Sequence, residues 1–164
     1  KINEQKRVSE KLEMDLLTDH LTGVFNRRAW DKLLDLEESR CKIYGHSTTI
    51  IVIDLNDLKY INDKFGHLKG DQMIQETVQI IKRTVRSNDL VARLGGDEFG
   101  ILNIEMTLEN TQNLVNRLLK SLQNAGINAA VGVAAREPGK NLRMAVIEAD
   151  EKMYQHKRQI KVMI

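Results

Sequence analysis

The sequence has little cysteine, proline or aromatic residue. Its 164 residues include one Cys, one Pro and 4% aromatic residues. Because a single Cys41 cannot form an internal disulfide, a reducing compartment is permitted. Only Pro138 interrupts the chain, so no proline-rich linker divides it. No apolar run approaches the ~18 residues of a membrane span, so we expect no membrane contact by this chain.

The sequence also lacks a strong excess of either charge. Lys and Arg total 25 against 23 Asp and Glu, a net charge of +2. We therefore expect no nucleic acid polymer as a partner, and any phosphate ligand requires a local site. The 41% of apolar residues suits one folded domain. The chain begins at Lys1 in a polar helical pattern without a Met or signal peptide, which predicts a fragment of a longer protein.

Hydrophobic periodicity predicts alternating helices and strands. Helices are predicted over 1–17, 26–44, 57–64, 71–85, 107–124 and 141–156, and strands over 48–54, 90–94, 98–104, 127–135 and, at an edge, 160–164. The glycines at 95–96 predict a tight hairpin turn. Strands that alternate with helices predict an α/β or α+β sandwich, with a mixed sheet covered by helices.

Two units are predicted along the chain, a connector helix over 1–17 and a domain over 18–164. Val8, Leu12 and Leu16 lie four residues apart on one face of the connector. This short apolar stripe either packs on the domain or continues an upstream coiled coil.

Acidic residues stand at two strand ends. Asp54 closes the most apolar strand, and Asp97 and Glu98 follow the glycines of the hairpin. If the strands pair in one sheet, Asp54 and Asp97 can converge on one face and hold Mg²⁺, completed by water and substrate phosphates. Taken alone, Asp54 is better explained as a helix cap or a solvated strand end than as a metal ligand. The four histidines have no zinc-like spacing, which predicts surface or structural roles for His20, His46, His67 and His156.

Four motifs in order resemble those of GGDEF domains, the diguanylate cyclases of bacteria. They are Arg93-Leu-Gly-Gly-Asp-Glu-Phe99, Asp19-His-Leu-Thr-Gly-Val-Phe-Asn-Arg-Arg28, Asp54-Leu-Asn-Asp-Leu-Lys-Tyr-Ile-Asn-Asp63 with Gly66-His67 and Gly70-Asp71, and Ala149-Asp150 with Tyr154 and Lys157. The resemblance spans about 19–157. It implies a central mixed, largely antiparallel sheet of about five strands wrapped by helices, like the palm of nucleotidyl cyclases and polymerases.

The resemblance implies condensation of two GTP molecules into cyclic di-GMP with release of two pyrophosphates, at the interface of a two-fold homodimer. It implies two Mg²⁺ ions per active site, with Mn²⁺ as a possible substitute, held by Asp54, the Leu55 carbonyl and Asp97. Glu98 matches a position that binds an ion or deprotonates the 3′-OH. Arg93 matches a position that stabilises charge during transfer; the alternative is a strand Arg paired with a neighbouring acid.

Asn62 and Asp71 match the guanine-reading pair of the family. An ionised Asp only accepts hydrogen bonds, and guanine presents two donor groups on one edge where adenine has a bare N1. Asp71 therefore favours GTP over ATP. The alternative is that Asp71 caps a helix and Asn62 closes a turn.

Lys157 matches a lysine that contacts the triphosphate. Lys161 stands where the family usually has Arg, so it keeps the charge without the bidentate fork. Backbone N–H groups from Asn56 to Leu58, with Asp57 between them, are expected to bind the β- and γ-phosphates near a helix start. His156 stands where the family usually has Ala.

Arg86 and Asp89 match the R-x-x-D site at which the product inhibits the family's enzymes. An upstream sensor and a bacterial cytoplasmic location are also implied. Three alternatives stay open: a catalytically weak receptor for cyclic di-GMP or GTP, an enzyme for an adenine-containing dinucleotide, and an interaction module driven by residues 1–17.

Overall fold

A computed structural model describes residues 2–163, with side chains described over 3–160. The helices within this range are α1 (Ile2–Leu17), α2 (Arg27–Tyr44), α3 (Leu58–Phe65), α4 (His67–Thr84), α5 (Leu108–Asn124) and α6 (Leu142–Met163). The strands are β1 (Thr48–Leu55), β2 (Leu90–Arg93), β3 (Glu98–Ile104) and β4 (Ala129–Ala135). No described helix has the length and hydropathy needed to cross a membrane.

The four described strands form one sheet in the order β2-β3-β1-β4, and every neighbouring pair is antiparallel. The prediction of an α+β fold around a largely antiparallel sheet is confirmed. The predicted edge strand over 160–164 is wrong, because residues 160–163 continue α6. Ile160 packs in the same apolar cluster as Met153, seven residues or two helical turns earlier. The sheet accordingly has four described strands where about five were expected.

Alternation along the strands separates two apolar layers. Ile51 and Ile53 of β1 face α4 and α5, whereas Ile50 and Val52 face α2 and α6. All eight residues of β1 are buried, as expected for a central strand covered on both sides. The face of any β1 side chain therefore follows from its position, and Asp54 shares the face of Ile50 and Val52.

Two glycines allow close packing on the α2 and α6 face. A Cβ at Gly132 in β4 would overlap the Ala149 carbonyl and the Met153 backbone nitrogen of α6. A Cβ at Gly100 in β3 would lie 2.9 Å from the Trp30 ring of α2. The missing side chain at Gly132 thus sets how near α6 approaches the sheet.

Helix ends largely follow their predicted signals. The Asn26 side chain accepts a hydrogen bond from the Ala29 N–H at 3.0 Å, and Gly45 ends α2 with φ of 68°. The predicted start of α4 at residue 71 is wrong, since the helix begins at His67 directly after Gly66, whose φ is 91°. The first three residues of α4, numbers 67–69, are exposed, so no buried apolar pattern marks the start of the helix.

Candidate active site

Two carboxylates lie side by side at one end of the sheet. Asp54, the last but one residue of β1, is the register partner of Glu98, the first residue of β3. Strand alternation places both on the face covered by α2 and α6. Asp54 is 6% exposed, and Glu98 is half-buried. The strand pairing on which the sequence prediction depended is therefore present.

The glycine turn at 95–96 places Asp97 beside the end of β1. The Leu94 N–H donates to the Glu98 carbonyl at 2.8 Å and closes the turn. The Leu55 N–H donates to the Asp97 carbonyl at 2.9 Å. Because this hydrogen bond ties the hairpin to β1, the Asp97 backbone is fixed next to the strand end that bears Asp54.

Arg93 is engaged in holding this turn. Its guanidinium donates to the Gly96 carbonyl at 2.9 Å and to Asp19 Oδ1 at 3.2 Å. The ion pair joins the segment before α2 to the hairpin, and both side chains are largely buried. In this structure Arg93 pairs with a neighbouring acid, as its alternative explanation expects, and it positions the hairpin.

Burial and mutual repulsion destabilise the charged form of these acids. Burial, followed by the nearby Asp97 charge, raises the pKa of Asp54 despite the opposing hydrogen bond from Lys157. Burial, followed by the charges of Asp150 and Asp54, raises the pKa of Glu98. Carboxylates crowded in this way are stabilised by a bound cation.

Asp150 and Arg27 belong to the electrostatic surroundings of the site, although sequence reasoning gave neither a role. Asp150 raises the pKa of both Asp54 and Glu98, and the charge of Arg27 lowers that of Glu98. Asp150 lies seven residues before Lys157, which puts both on one face of α6, and this spacing is a usable signal. Arg27 comes near only through the packing of α2, which no local pattern reveals.

Lys157 reaches the carboxylates from α6. Its Nζ donates to Asp54 Oδ1 at 3.1 Å, and three quarters of its side chain is buried. The close approach of α6 at Gly132 makes this reach possible. The predicted phosphate-binding lysine and the predicted metal ligand thus form an ion pair in this structure.

The donor set fits a hard divalent cation such as Mg²⁺. Asp54, Asp97, Glu98 and Asp150 supply only oxygen donors, and their proximity creates a strongly negative site. No choice of one oxygen each from Asp54, Asp97 and Glu98 brings all three within 4.8 Å of one another. The ammonium of Lys157 partly neutralises Asp54 instead. Small side-chain movements and release of Lys157 are needed to form a common ligand set.

In the segment after β1, the backbone N–H of Asn56 is hydrogen-bonded, whereas the amide group of its side chain has no partner. The Asn56 N–H donates to the Asn128 carbonyl at 3.0 Å, so this N–H is already used. Both amide atoms of the Asn56 side chain are buried without a hydrogen-bond partner. The Asp57 side chain accepts from Asn128 Nδ2 at 3.2 Å and does not cap α3, which begins at Leu58.

Asn62 and Asp71 lie on the adjoining helices α3 and α4. A Cβ at Gly70 would overlap the Asn62 Oδ1, so Asn62 lies directly against the residue that precedes Asp71. Because α4 begins at His67, Asp71 lies in the helix interior and is not its cap. The alternative explanation of Asp71 as a helix cap is therefore excluded.

Arg86 and Asp89 form a closed ion pair between α4 and β2. The Arg86 Nη2 donates to Asp89 Oδ1 at 2.8 Å, and the Arg86 backbone N–H donates to Oδ2 at 2.8 Å. Arg86 is exposed and Asp89 is buried. A cavity of about 350 Å³ next to the pair is also lined by Phe25 and Val91. The two residues of the R-x-x-D pattern are thus brought together on the surface.

Two other predicted positions behave differently. His156 Nδ1 accepts a hydrogen bond from the Val131 N–H of β4 at 2.9 Å, so this histidine has a structural role at the sheet edge. The side chain of Lys161 lies outside the described residues.

At one end of the small antiparallel sheet, clustered carboxylates lie beside a lysine of α6, and carboxylate oxygens are donors that suit a metal ion accompanied by phosphate. Comparisons identify the family. The family described as "Diguanylate cyclase, GGDEF domain" matches residues 16–162. The chain belongs to this family.

Individual relatives agree with this assignment. The chain is 32% identical over 156 residues to "Probable diguanylate cyclase DgcJ" of Escherichia coli K12, covering 93% of this chain and 32% of that protein. It is 34% identical over 152 residues to "Diguanylate cyclase DgcP" of Pseudomonas aeruginosa, covering 87% of this chain and 22% of that protein. The chain therefore spans a third or less of these two relatives.

A solved structure shares the fold. The coiled coil and GGDEF domain of DgcB from Caulobacter crescentus, in complex with c-di-GMP, superimposes with a TM-score of 0.90 at 25% identity. The match covers 96% of this chain and 89% of that one.

Proposed function

We propose that this chain is a diguanylate cyclase domain that condenses two GTP molecules into cyclic di-GMP and releases two pyrophosphates. The observation that carries the proposal is the pairing of Asp54 with Glu98 at the sheet end that also receives the glycine hairpin and Lys157. Family membership supports the same chemistry. Because GTP is a cytoplasmic nucleotide, we assign the reaction to the bacterial cytoplasm.

The metal ligands in this proposal are the side chains of Asp54 and Asp97, the Leu55 carbonyl and Glu98. Mg²⁺ held there would polarise the α-phosphorus and neutralise the departing pyrophosphate. Lys157 exchanges its ion pair with Asp54 for a contact with the triphosphate, since both partners of Lys157 are anionic. The unpaired side-chain Nδ2 of Asn56 and the backbone N–H groups at the start of α3, at Leu58, supply hydrogen-bond donors for phosphate oxygens.

Glu98 is suited to accept the 3′-OH proton. Its half-buried carboxylate lies at the sheet end beside Asp54, next to the place where a 3′-OH would approach the metal site. The 3′-oxygen then attacks the α-phosphorus of a second GTP, and pyrophosphate leaves. Each domain binds one GTP through Asn62 and Asp71, so two domains must face each other for the two attacks that close the ring.

The direct test is incubation of the purified chain with GTP and Mg²⁺, followed by chromatography for cyclic di-GMP. The assay uses both the chain alone and a version dimerised by a coiled coil fused before residue 1. Wild-type protein should form the cyclic dinucleotide, and Asp97→Ala should lower the rate by about a hundredfold or more. Glu109→Ala removes an exposed acid on α5 and should retain the rate. Absence of product from the dimerised form, with cyclic di-GMP still bound, would favour the receptor alternative.

The same assay tests the preference for guanine over adenine. Asp71→Ser removes the carboxylate proposed to accept from guanine N1–H and N2–H₂. The ratio of the GTP rate to the ATP rate should fall by about tenfold, equivalent to one lost hydrogen bond of ~1–1.5 kcal/mol. An unchanged ratio would remove Asp71 from base reading while leaving the cyclase proposal intact.

A further inference from the structure

A second cluster of ligand-type side chains lies at the opposite end of β1. Glu37 and Cys41 are one turn apart on α2, His46 follows the end of that helix, and Thr48 begins β1. Six residues separate Thr48 from Asp54, about 20 Å along an extended strand. The cluster is therefore separate from the candidate active site.

The side chains of Cys41 and His46 both approach the carboxylate of Glu37. Glu37 Oε2 lies 3.0 Å from His46 Nε2 and 3.8 Å from Cys41 Sγ. One donor atom from each residue lies within 4.8 Å of the other two. Among the described residues, no other group of three His, Cys, Asp or Glu side chains comes this close.

Burial leaves two polar atoms of the cluster without a partner. The Glu37 side chain is 3% exposed and the His46 side chain is 11% exposed. Glu37 Oε1 and His46 Nδ1 are buried and make no hydrogen bond. Arg40 Nε lies 3.8 Å from Glu37 Oε1, which is too far for a hydrogen bond, and the Arg40 side chain is 52% exposed. A buried carboxylate with one unpaired oxygen is costly unless a cation compensates it.

We propose that Glu37, Cys41 and His46 bind a Zn²⁺ ion. One sulfur, one nitrogen and one oxygen donor form a set that Zn²⁺ favours, whereas Mg²⁺ and Ca²⁺ favour oxygen alone. Bonds of about 2.0–2.3 Å in a tetrahedron separate these ligand atoms by roughly 3.3–3.7 Å, so shifts of a few tenths of an ångström from the observed 3.0 and 3.8 Å would form the ligand set. Water completes the fourth position.

Thr48 positions the carboxylate for this role. Its Oγ1 is buried and donates to Glu37 Oε2 at 2.6 Å, and Oε2 is the carboxylate oxygen that lies nearest His46 Nε2 and Cys41 Sγ, so Thr48 orients the oxygen that would bind the ion. Hydrogen bonds of this kind orient metal ligands and change metal affinity by about 10–100-fold. An ion here would join α2 to His46 in the segment that leads into β1, the strand whose far end bears Asp54.

Cobalt substitution tests the site directly. The purified chain is treated with a chelator, dialysed, and titrated with Co²⁺ in excess Mg²⁺, which occupies the carboxylate site. We expect one equivalent of bound Co²⁺ per chain, with a thiolate-to-cobalt charge-transfer band and the visible bands of a tetrahedral ion. Because Cys41 is the only cysteine, such a band identifies this site. Zn²⁺ should displace Co²⁺ and abolish the band.

Substitutions of the proposed ligands distinguish Co²⁺ binding at this site from adventitious Co²⁺ binding elsewhere. Cys41→Ala should abolish the charge-transfer band, and His46→Gln and Thr48→Val should weaken Co²⁺ binding by about tenfold or more. His20→Gln removes an exposed histidine and should have no effect. A wild-type chain that shows no thiolate band, or Co²⁺ binding that is equal in wild type and His46→Gln, would overturn the proposal. The wild-type titration is decisive even if a variant fails to fold, and its outcome is independent of cyclase activity.

Discussion

At the scale of single residues, the candidate active site contains a carboxylate, Glu98, whose negative charge is not balanced by an ion pair among the described residues. Within the described residues the half-buried Glu98 carboxylate makes no ion pair or hydrogen bond, and three other acids surround it. Lys157 compensates Asp54 only. An arrangement that disfavours its own ionised state is suited to bind cations, at the expense of stability without them.

Glu98→Gln should stabilise the protein without metal near neutral pH. Because the pKa of Glu98 is higher in the folded than in the unfolded chain, its contribution to stability is greatest when it is protonated, and it is lost as pH rises from about 4.5 through the raised value. The amide removes this loss. Thermal unfolding in chelator should give a higher Tm for Glu98→Gln at neutral pH and a smaller difference near pH 4.

The exposed Glu151 of the same region provides the control, since Glu151→Gln removes an equal charge from the surface of α6. Its Tm should change little at any pH. A lower Tm for Glu98→Gln than for wild type at neutral pH would mean that Glu98 is stabilised by its surroundings and is not repelled.

Arg86→Ala should relieve product inhibition without lowering the initial rate. The guanidinium is exposed and forked, so it can exchange Asp89 for a phosphate or a guanine edge of cyclic di-GMP. The half-inhibitory concentration of added cyclic di-GMP should rise by about tenfold or more, as expected for loss of a charged hydrogen bond.

Arg86→Lys retains the positive charge but loses the paired N–H donors of the guanidinium, so it should weaken inhibition as well. Lys42→Ala, which removes an exposed cation from α2, should leave inhibition unchanged. Inhibition of equal strength in wild type and both Arg86 variants would exclude this surface as the product site.

The sequence predicted Asp54, Asp97 and Glu98, but it gave no role to Asp150 and Arg27, although both stand inside the quoted motifs. Asp54, Asp97 and Glu98 stand at strand ends or in a glycine turn, where local pattern indicates their position. Asp150 and Arg27 come from two separate helices and depend on how these helices pack on the sheet. Local pattern carries no information on such distances.

At the scale of secondary structure, apolar patterning predicted what the core determines and failed at exposed ends. Strand β3 was predicted with its exact bounds because its interior is buried on both faces. The start of α4 was missed because its first three residues are exposed. Residues 160–164 were misread as a strand since a short apolar run is compatible with either structure.

Gly132→Ala should destabilise the fold through the contact of α6 with β4. The added methyl would overlap backbone atoms of Ala149 and Met153, which cannot move aside as a flexible side chain can. Overpacking of this kind costs about 1–3 kcal/mol or more. Urea unfolding should show this loss.

Gly96→Ala is the matched control, because a Cβ there meets no atom within 4 Å and Gly96 has no positive φ. Its free energy of unfolding should stay near that of wild type. Equal stability of Gly132→Ala and wild type would show that α6 shifts without cost.

At the scale of the whole molecule, one domain offers one set of the proposed nucleotide-binding residues, whereas the proposed ring closure needs two GTP molecules. Outside the compact domain, α1 exposes an apolar stripe whose residues Val8, Leu12 and Leu16 are 59%, 59% and 56% exposed. A stripe that recurs every four residues lies along one face of the helix and favours pairing of two helices. We expect this stripe of α1 to bring two copies of the chain together.

Activity should therefore depend on association through α1. The rate per chain is expected to rise with protein concentration, and Leu12→Lys should lower it at any concentration where wild type is partly dimeric, because the substitution places charges in the seam. Glu10→Lys adds a lysine on the opposite side of the helix and should preserve association. Sedimentation and rate are measured on the same samples. A rate per chain independent of concentration, from wild-type protein that sediments as a monomer, would mean that two facing domains are not needed.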